Sequence, residues 1–220
     1  MKKLILFIAV VLAGCSFYFA YGKYQQYQFI SAATPVVKNI SIRSTKAARY
    51  ELGGESNVTY KEIFERLEEH LKEVDNKIID IQSISNDANK EQSSVVINYL
   101  QASQEFMRTV LQQNRKQLAS SSAIQSLTSS MSDLRASVGT YGYEYASKAA
   151  GRSIEEAKNA VSEQSEAVKD LIAATKNLAK AAKDAEKLLP SNALISQETL
   201  SALIKKLAPE KEKEDPKKPS

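Results

Sequence analysis

Few side chains in this sequence could do chemistry. It holds one histidine, His70, and one cysteine, Cys15. A zinc site draws three or four ligands from His, Cys and carboxylates, and a nucleophilic Ser or Cys needs a histidine beside it. With no second histidine and no other thiol, neither constellation can be assembled, and His70 reads as a helix-surface residue. Adjacent acids occur at Glu68-Glu69 and Glu155-Glu156, with Asp75 near Asp80. Acid–base catalysis needs two carboxyls held in contrasting environments across a cleft. Acids on charged helix faces serve solvation and i,i+4 pairing instead. There is no metal-binding HExxH, no GxSxG elbow and no phosphate-cradling glycine loop. The expectation is no catalytic residue, no metal, no cofactor and no small-molecule substrate.

Two features carry a contact reading. Tyr141, Tyr143 and Tyr145 lie beside Gly139 and Gly142. Tyrosine is common at binding hot spots, so the three either form a contact patch or fill a core next to the glycines. Lys169, Lys176, Lys180, Lys183 and Lys187 make a basic line, balanced in part by Asp170, Asp184 and Glu186. That line reads as a solvated face. The net charge is +4 without a dense Lys/Arg patch interleaved with aromatics, which argues against a nucleic-acid partner.

The elements that must position these residues are helical. Trp is absent, and 7 Gly and 5 Pro are too few for a turn-rich sheet protein of this length. Thr59-Tyr60-Lys61-Glu62 reads as a capping box opening a helix whose apolar stripe is Ile63, Leu67, Leu71, Val74, Ile78, Ile81, Ile84 and Ala88. Asn86 to Lys90 is a weak spot, either a kink or a junction. A stripe resumes at Val96 and runs to Leu118. Ser120-Ser121-Ser122 is the expected reversal, and Ile124, Leu127, Met131, Leu134 and Val138 then repeat at helical spacing. Gly151-Arg152-Ser153 reads as a further break. From Ile154 to Leu189 a heptad runs at alternating threes and fours, ended by Pro190. Its core positions, many of them Ala, call for a close-packed neighbour.

The N-terminus adds a targeting signal. Lys2-Lys3 precedes an apolar run from Leu4 to Tyr21, and Leu12-Ala13-Gly14-Cys15 lies inside it. That tetrad resembles the bacterial lipobox. The resemblance covers residues 1 to 16 and implies cleavage before Cys15, acylation of that cysteine, and a lipid-anchored protein. The alternative is an uncleaved signal anchor, since the run approaches the ~20 residues that span a bilayer core, with Tyr18, Tyr21, Tyr24 and Tyr27 as an interfacial belt. Either way the expected location is a bacterial cell membrane, with the N-terminus inside and the bulk in the periplasm or another extracytoplasmic space.

The expected organisation is a signal or transmembrane anchor over 1–22, a tether over 23–58 with a short strand near Val36 to Ile42, a helical domain over 59–189, a short helix over 190–207 and a charged tail over 208–220. The fold class is all-α: an elongated helical hairpin or coiled coil, or a three- to four-helix bundle. The expected function is a membrane-tethered helical scaffold or protein-interaction component of the envelope, with a protein partner or self-association through the coiled coil. A component of a secretion or conjugation apparatus and a helical ligand-sensing module are the alternatives.

Overall fold

A computed structural model describes residues 2–53 and 58–208, with side chains from Ala20 onward. It contains five α-helices and, among the described residues, no strand: α1 (Lys2–Leu52), α2 (Tyr60–Ser83), α3 (Lys90–Ser137), α4 (Tyr143–Ala185) and α5 (Gln197–Leu207). A single 3-10 turn, Ser191–Ala193, lies between α4 and α5.

The region expected to be a tether is a helix. Phe29, Ala33, Val37, Ile40, Ser44 and Ala47 recur at threes and fours and are all buried. That is the spacing of one helical face. Pro35 falls inside α1, where it deprives the exposed Ser31 carbonyl of its usual donor without ending the helix. Val36, Val37, Ile40 and Ile42 therefore belong to a helix and not to a strand.

α2 opens at the expected capping box. Thr59 Oγ1 accepts from Glu62 N at 3.3 Å, and Thr59 N donates to Glu62 Oε2 at 2.9 Å. The Asn86–Lys90 weak spot is a junction: Asn86 N donates to Asn89 Oδ1 and Ala88 N to Asn86 Oδ1, which stops α2 and starts α3 as a separate helix.

α3 does not reverse at Ser120–Ser122. It runs through them to Ser137. Serine costs a helix only a few tenths of a kcal/mol, and a small residue suits a close helix contact; Ser120 is buried. The reversal comes at Gly139, whose φ of 78° lies in the left-handed region that glycine enters without a Cβ penalty. Gly151 to Ser153 is likewise no break and no N-cap, because all three lie within α4.

α3 is the centre of the packing, with α1, α2 and α4 around it. Arg115 pairs with Glu68 and Gln104 with Asp75, so α2 runs antiparallel to α3. Lys116 pairs with Glu163 and Ser130 with Ser153, so α4 does too. α5 wedges between α4 and α1 through Leu200 and Leu203.

The core sits at one end of this arrangement. The largest fully buried side chains include Tyr99, Phe106, Leu67, Ile81, Leu171 and Leu178, and none of the largest lies between residues 112 and 170. Beyond about residue 119 of α3 and before about residue 160 of α4, the two helices pack only on each other. The molecule is therefore a bundle of four long helices and one short one, from which a two-helix hairpin projects. At ~1.5 Å per residue, the free part of α3 reaches roughly 28 Å beyond the bundle. The α4 heptad is not buried end to end, since Ile154 is 51% and Val161 47% exposed.

The expected location needs correction. Among the described residues no helix is long and apolar enough to cross a membrane, which overturns the single-pass anchor with its bulk in the periplasm. From Ala20 onward α1 is amphipathic: it carries Lys23, Gln25, Gln26, Lys38, Arg43 and Lys46 beside its buried face. Leu12-Ala13-Gly14-Cys15 and Tyr18 lie outside the residues whose side chains are described, and Pro209 to Ser220 lie outside the described residues altogether.

Candidate interaction site at the hairpin tip

The hairpin turn is organised by Thr140. Its Oγ1 donates to Ser137 O at 2.7 Å and accepts from Gly142 N at 3.3 Å, and its carbonyl accepts from Tyr143 N at 3.3 Å. These bonds satisfy groups left over where one helix ends and the next begins. Gly139 supplies the left-handed residue, and Gly142 stands at the start of α4.

This turn throws the tyrosines outward. Tyr141 is 109% exposed, Tyr145 75% and Tyr143 48%. Of the two sequence readings of the patch, contact surface or glycine-lined core, the geometry matches an exposed tip. A tyrosine offers a large amphipathic surface and has only two side-chain torsions to fix on binding, which suits it to recognition.

The other candidates disperse. Glu68 pairs with Arg115, Asp75 accepts from Gln104, and Lys77 donates to Asp80 at 2.9 Å. Glu155 and Glu156 are exposed on the hairpin, away from all three. Lys169, Lys176, Lys180, Lys183 and Lys187 are all exposed, with Lys187 paired to Asp184 at 3.2 Å. Among the described residues no group of His, Cys, Asp and Glu is placed to hold a metal.

His70 differs from expectation, being buried between α1 and α2. Burial and the nearby Arg43 push its imidazole below the usual range, and among the described residues its Nδ1 has no hydrogen-bond partner. Beside it Arg43 pairs with Glu73, bridging the same two helices.

Sequence reasoning missed one titratable group. Glu51, at the end of α1, accepts from Asn114 Nδ2 at 2.6 Å, and Lys206 of α5 donates to its backbone carbonyl. Burial pushes its carboxyl up to about 7, against the opposing pull of Lys206 and Asn114. The folded chain thus holds this proton to higher pH than the unfolded one, whose carboxyl titrates near ~4.3. The resulting stabilisation is complete below that value and is lost as pH rises through about 7. Unfolding free energies measured from pH 4 to 8 are expected to fall for the native chain relative to Glu51→Gln across this window. Parallel profiles would contradict the assignment.

An all-helical bundle with a projecting, tyrosine-tipped hairpin is the class that fold and site define. Comparison of the chain with protein-family models, with curated proteins and with solved structures gave no match.

Proposed function

We propose that this protein is a non-enzymatic helical interaction component, in which the bundle is a rigid base and the hairpin carries Tyr141, Tyr143 and Tyr145 to a protein partner. The observation that carries this reading is the exposure of all three aromatic rings at a turn held ~28 Å clear of the bundle. Helices that meet at heptad spacing, as a coiled coil, make a stiff arm for that purpose. The test is a photo-crosslinking side chain placed at 141 or 145 in the producing cell, with the same group at exposed Ile79 of α2 as control. A discrete adduct with another protein from the tip, absent from position 79, is expected. Equal yields at both positions would overturn the reading.

The proposed attachment is acylation of Cys15. It requires no spanning helix and draws on the likeness of Leu12-Ala13-Gly14-Cys15 to a lipobox. Gln25 Oε1 accepts from Asn86 Nδ2 at 3.3 Å and Gln26 Nε2 donates to Ala88 O at 2.9 Å, which ties α1 to the bundle, so a short helical stretch would separate the lipid from the base. Mass spectrometry of the isolated N-terminus is expected to show an acylated Cys15; an intact Met1 would contradict it.

A further inference from the structure

The hairpin exposes more than its tip. On the free part of α3 and at its C-cap, Ile124, Met131 and Val138 recur every seven residues and are 48%, 37% and 66% exposed. On α4, Tyr143, Ile154 and Val161 are 48%, 51% and 47% exposed. At ~100° per residue, the α3 seam lies about 70° from the line facing α4, through Leu127, Ser130 and Leu134. The α4 seam lies about 55° from the line facing α3, through Ala150, Ser153 and Ala157, in the same rotational sense. The helices run in opposite directions, so offsets in one sense place both seams on the same side. In the antiparallel register set by Ser130–Ser153 and Lys116–Glu163, the six side chains form three apolar levels on one side of the hairpin, Val138 with Tyr143, Met131 with Ile154 and Ile124 with Val161, of which each helix supplies half.

In the bundle this face is covered. Along α4 from Val161, steps of seven, four and seven residues pass Val168 and Ile172, both half-buried, and reach Ala179. There Gln197 Nε2 of α5 donates to Ala179 O at 3.0 Å. A helix of the chain itself thus occupies the base of the seam, and α5 ends at Leu207, before the hairpin stands clear. Residues 54–57 are Gly-Glu-Ser-Asn, and 209–220 carry no apolar side chain except proline.

We infer that a second copy of this chain covers the face, so that two hairpins pair as a four-helix bundle. Two observations favour a copy over an unrelated partner. The exposed apolar area of the six side chains is on the order of 600 Å², at the upper end for a monomer's largest patch. With the small flanking residues Ser121, Thr128, Ser147 and Ser165 it approaches the ~800 Å² that each partner of a stable dimer buries. The face is built equally from an outgoing and a returning helix, so a twofold axis along the hairpin sets α3 of one copy against α4 of the other, closing the assembly. Arg135 and Lys158 lie between the apolar levels of this face, roughly 15 Å apart along the hairpin, with side chains long enough to carry their charges past a pairing surface to water.

This inference goes beyond the tip reading and can fail independently of it. The test is sedimentation equilibrium of the full chain in mild detergent. A monomer–dimer equilibrium is expected, its dissociation constant raised at least about 100-fold by Met131→Glu with Ile154→Glu, which places carboxylates inside the pairing face. Ile79→Glu on α2 and Tyr141→Ser at the tip should leave it unchanged. Both substituted positions are exposed in the monomer, so helicity by circular dichroism should be retained. A chain that stays monomeric at about 100 μM, well above the constant of an interface this size, overturns the inference. So does a dimer that survives the double substitution, or one that Ile79→Glu weakens equally.

Discussion

Tyr99→Ala is expected to lower the unfolding free energy by about 4 kcal/mol, near the upper part of the range for large-to-small core changes. Tyr99 is fully buried where α1, α3 and the segment joining α4 to α5 meet. Its hydroxyl lies 2.7 Å from Ser41 Oγ and accepts from Ile195 N at 3.1 Å. Ser41 Oγ also lies 2.7 Å from Ala193 O and 2.8 Å from Val37 O, two carbonyls that share its single proton. One ring and two hydroxyls therefore join three parts of the chain, and burial pushes the phenol up, keeping it protonated as a donor. Tyr99→Phe keeps the volume and strands the buried Ile195 N–H, so it should cost about 1–2 kcal/mol. Urea unfolding followed by circular dichroism would show both as lower midpoints at unchanged slope. A cost below about 1 kcal/mol for the Ala variant would mean that this junction is loosely packed.

Amide exchange along α3 is expected to divide sharply near residue 119. Amides from Val96 to Gln113 lie under α1, α2 and α4, among Tyr99, Leu100, Phe106, Met107 and Val110. Amides from Ile124 to Ser137 have only α4 behind them, and the contact there is made by small groups such as Ser130, Ser153, Ala150 and Ala157. Little apolar surface is buried per turn, so local opening of the hairpin should cost much less than global unfolding. Protection is expected to be at least about 100-fold lower in the distal half, which corresponds to ~2.7 kcal/mol. The measurement belongs on the Met131→Glu, Ile154→Glu chain, where no second copy can cover the hairpin. Uniform protection along α3 would mean that the core extends to the tip.

Much of this architecture is legible in the residues. The Thr59–Glu62 box and the stripe from Ile63 to Ile81 rest on local rules and stand where those rules place them; Asn86 to Lys90, open between a kink and a junction, is a junction, and the short helix expected over 190–207 runs from Gln197 to Leu207. α1 was hidden because half of its buried face is Ala33, Ser44, Ala47 and Ala48. Such side chains give a faint periodic signal, while Pro35 and the branched residues after it suggested a break. The reversal was misplaced because three consecutive serines look like a turn, although each is tolerated in a helix. A positive φ at Gly139 is a stronger stop than weak propensity. The tyrosine patch was legible by composition, but its exposure depended on that turn. Glu51 carries no sequence signal, because the partners that surround it, Asn114 and Lys206, are 63 and 155 residues away.

The projecting hairpin is the central claim, and a pulsed electron-spin distance between labels at the exposed positions Gln112 and Ala136 addresses it most directly, in a Cys15→Ser background. One uninterrupted α3 separates them by 24 residues, or roughly 36 Å at the helical rise. A distance near ~36 Å is the predicted result. A chain that turned back at Ser121 would fold the two labels side by side at roughly 15 Å, and that value would contradict both the arm and the exposed tip built on it.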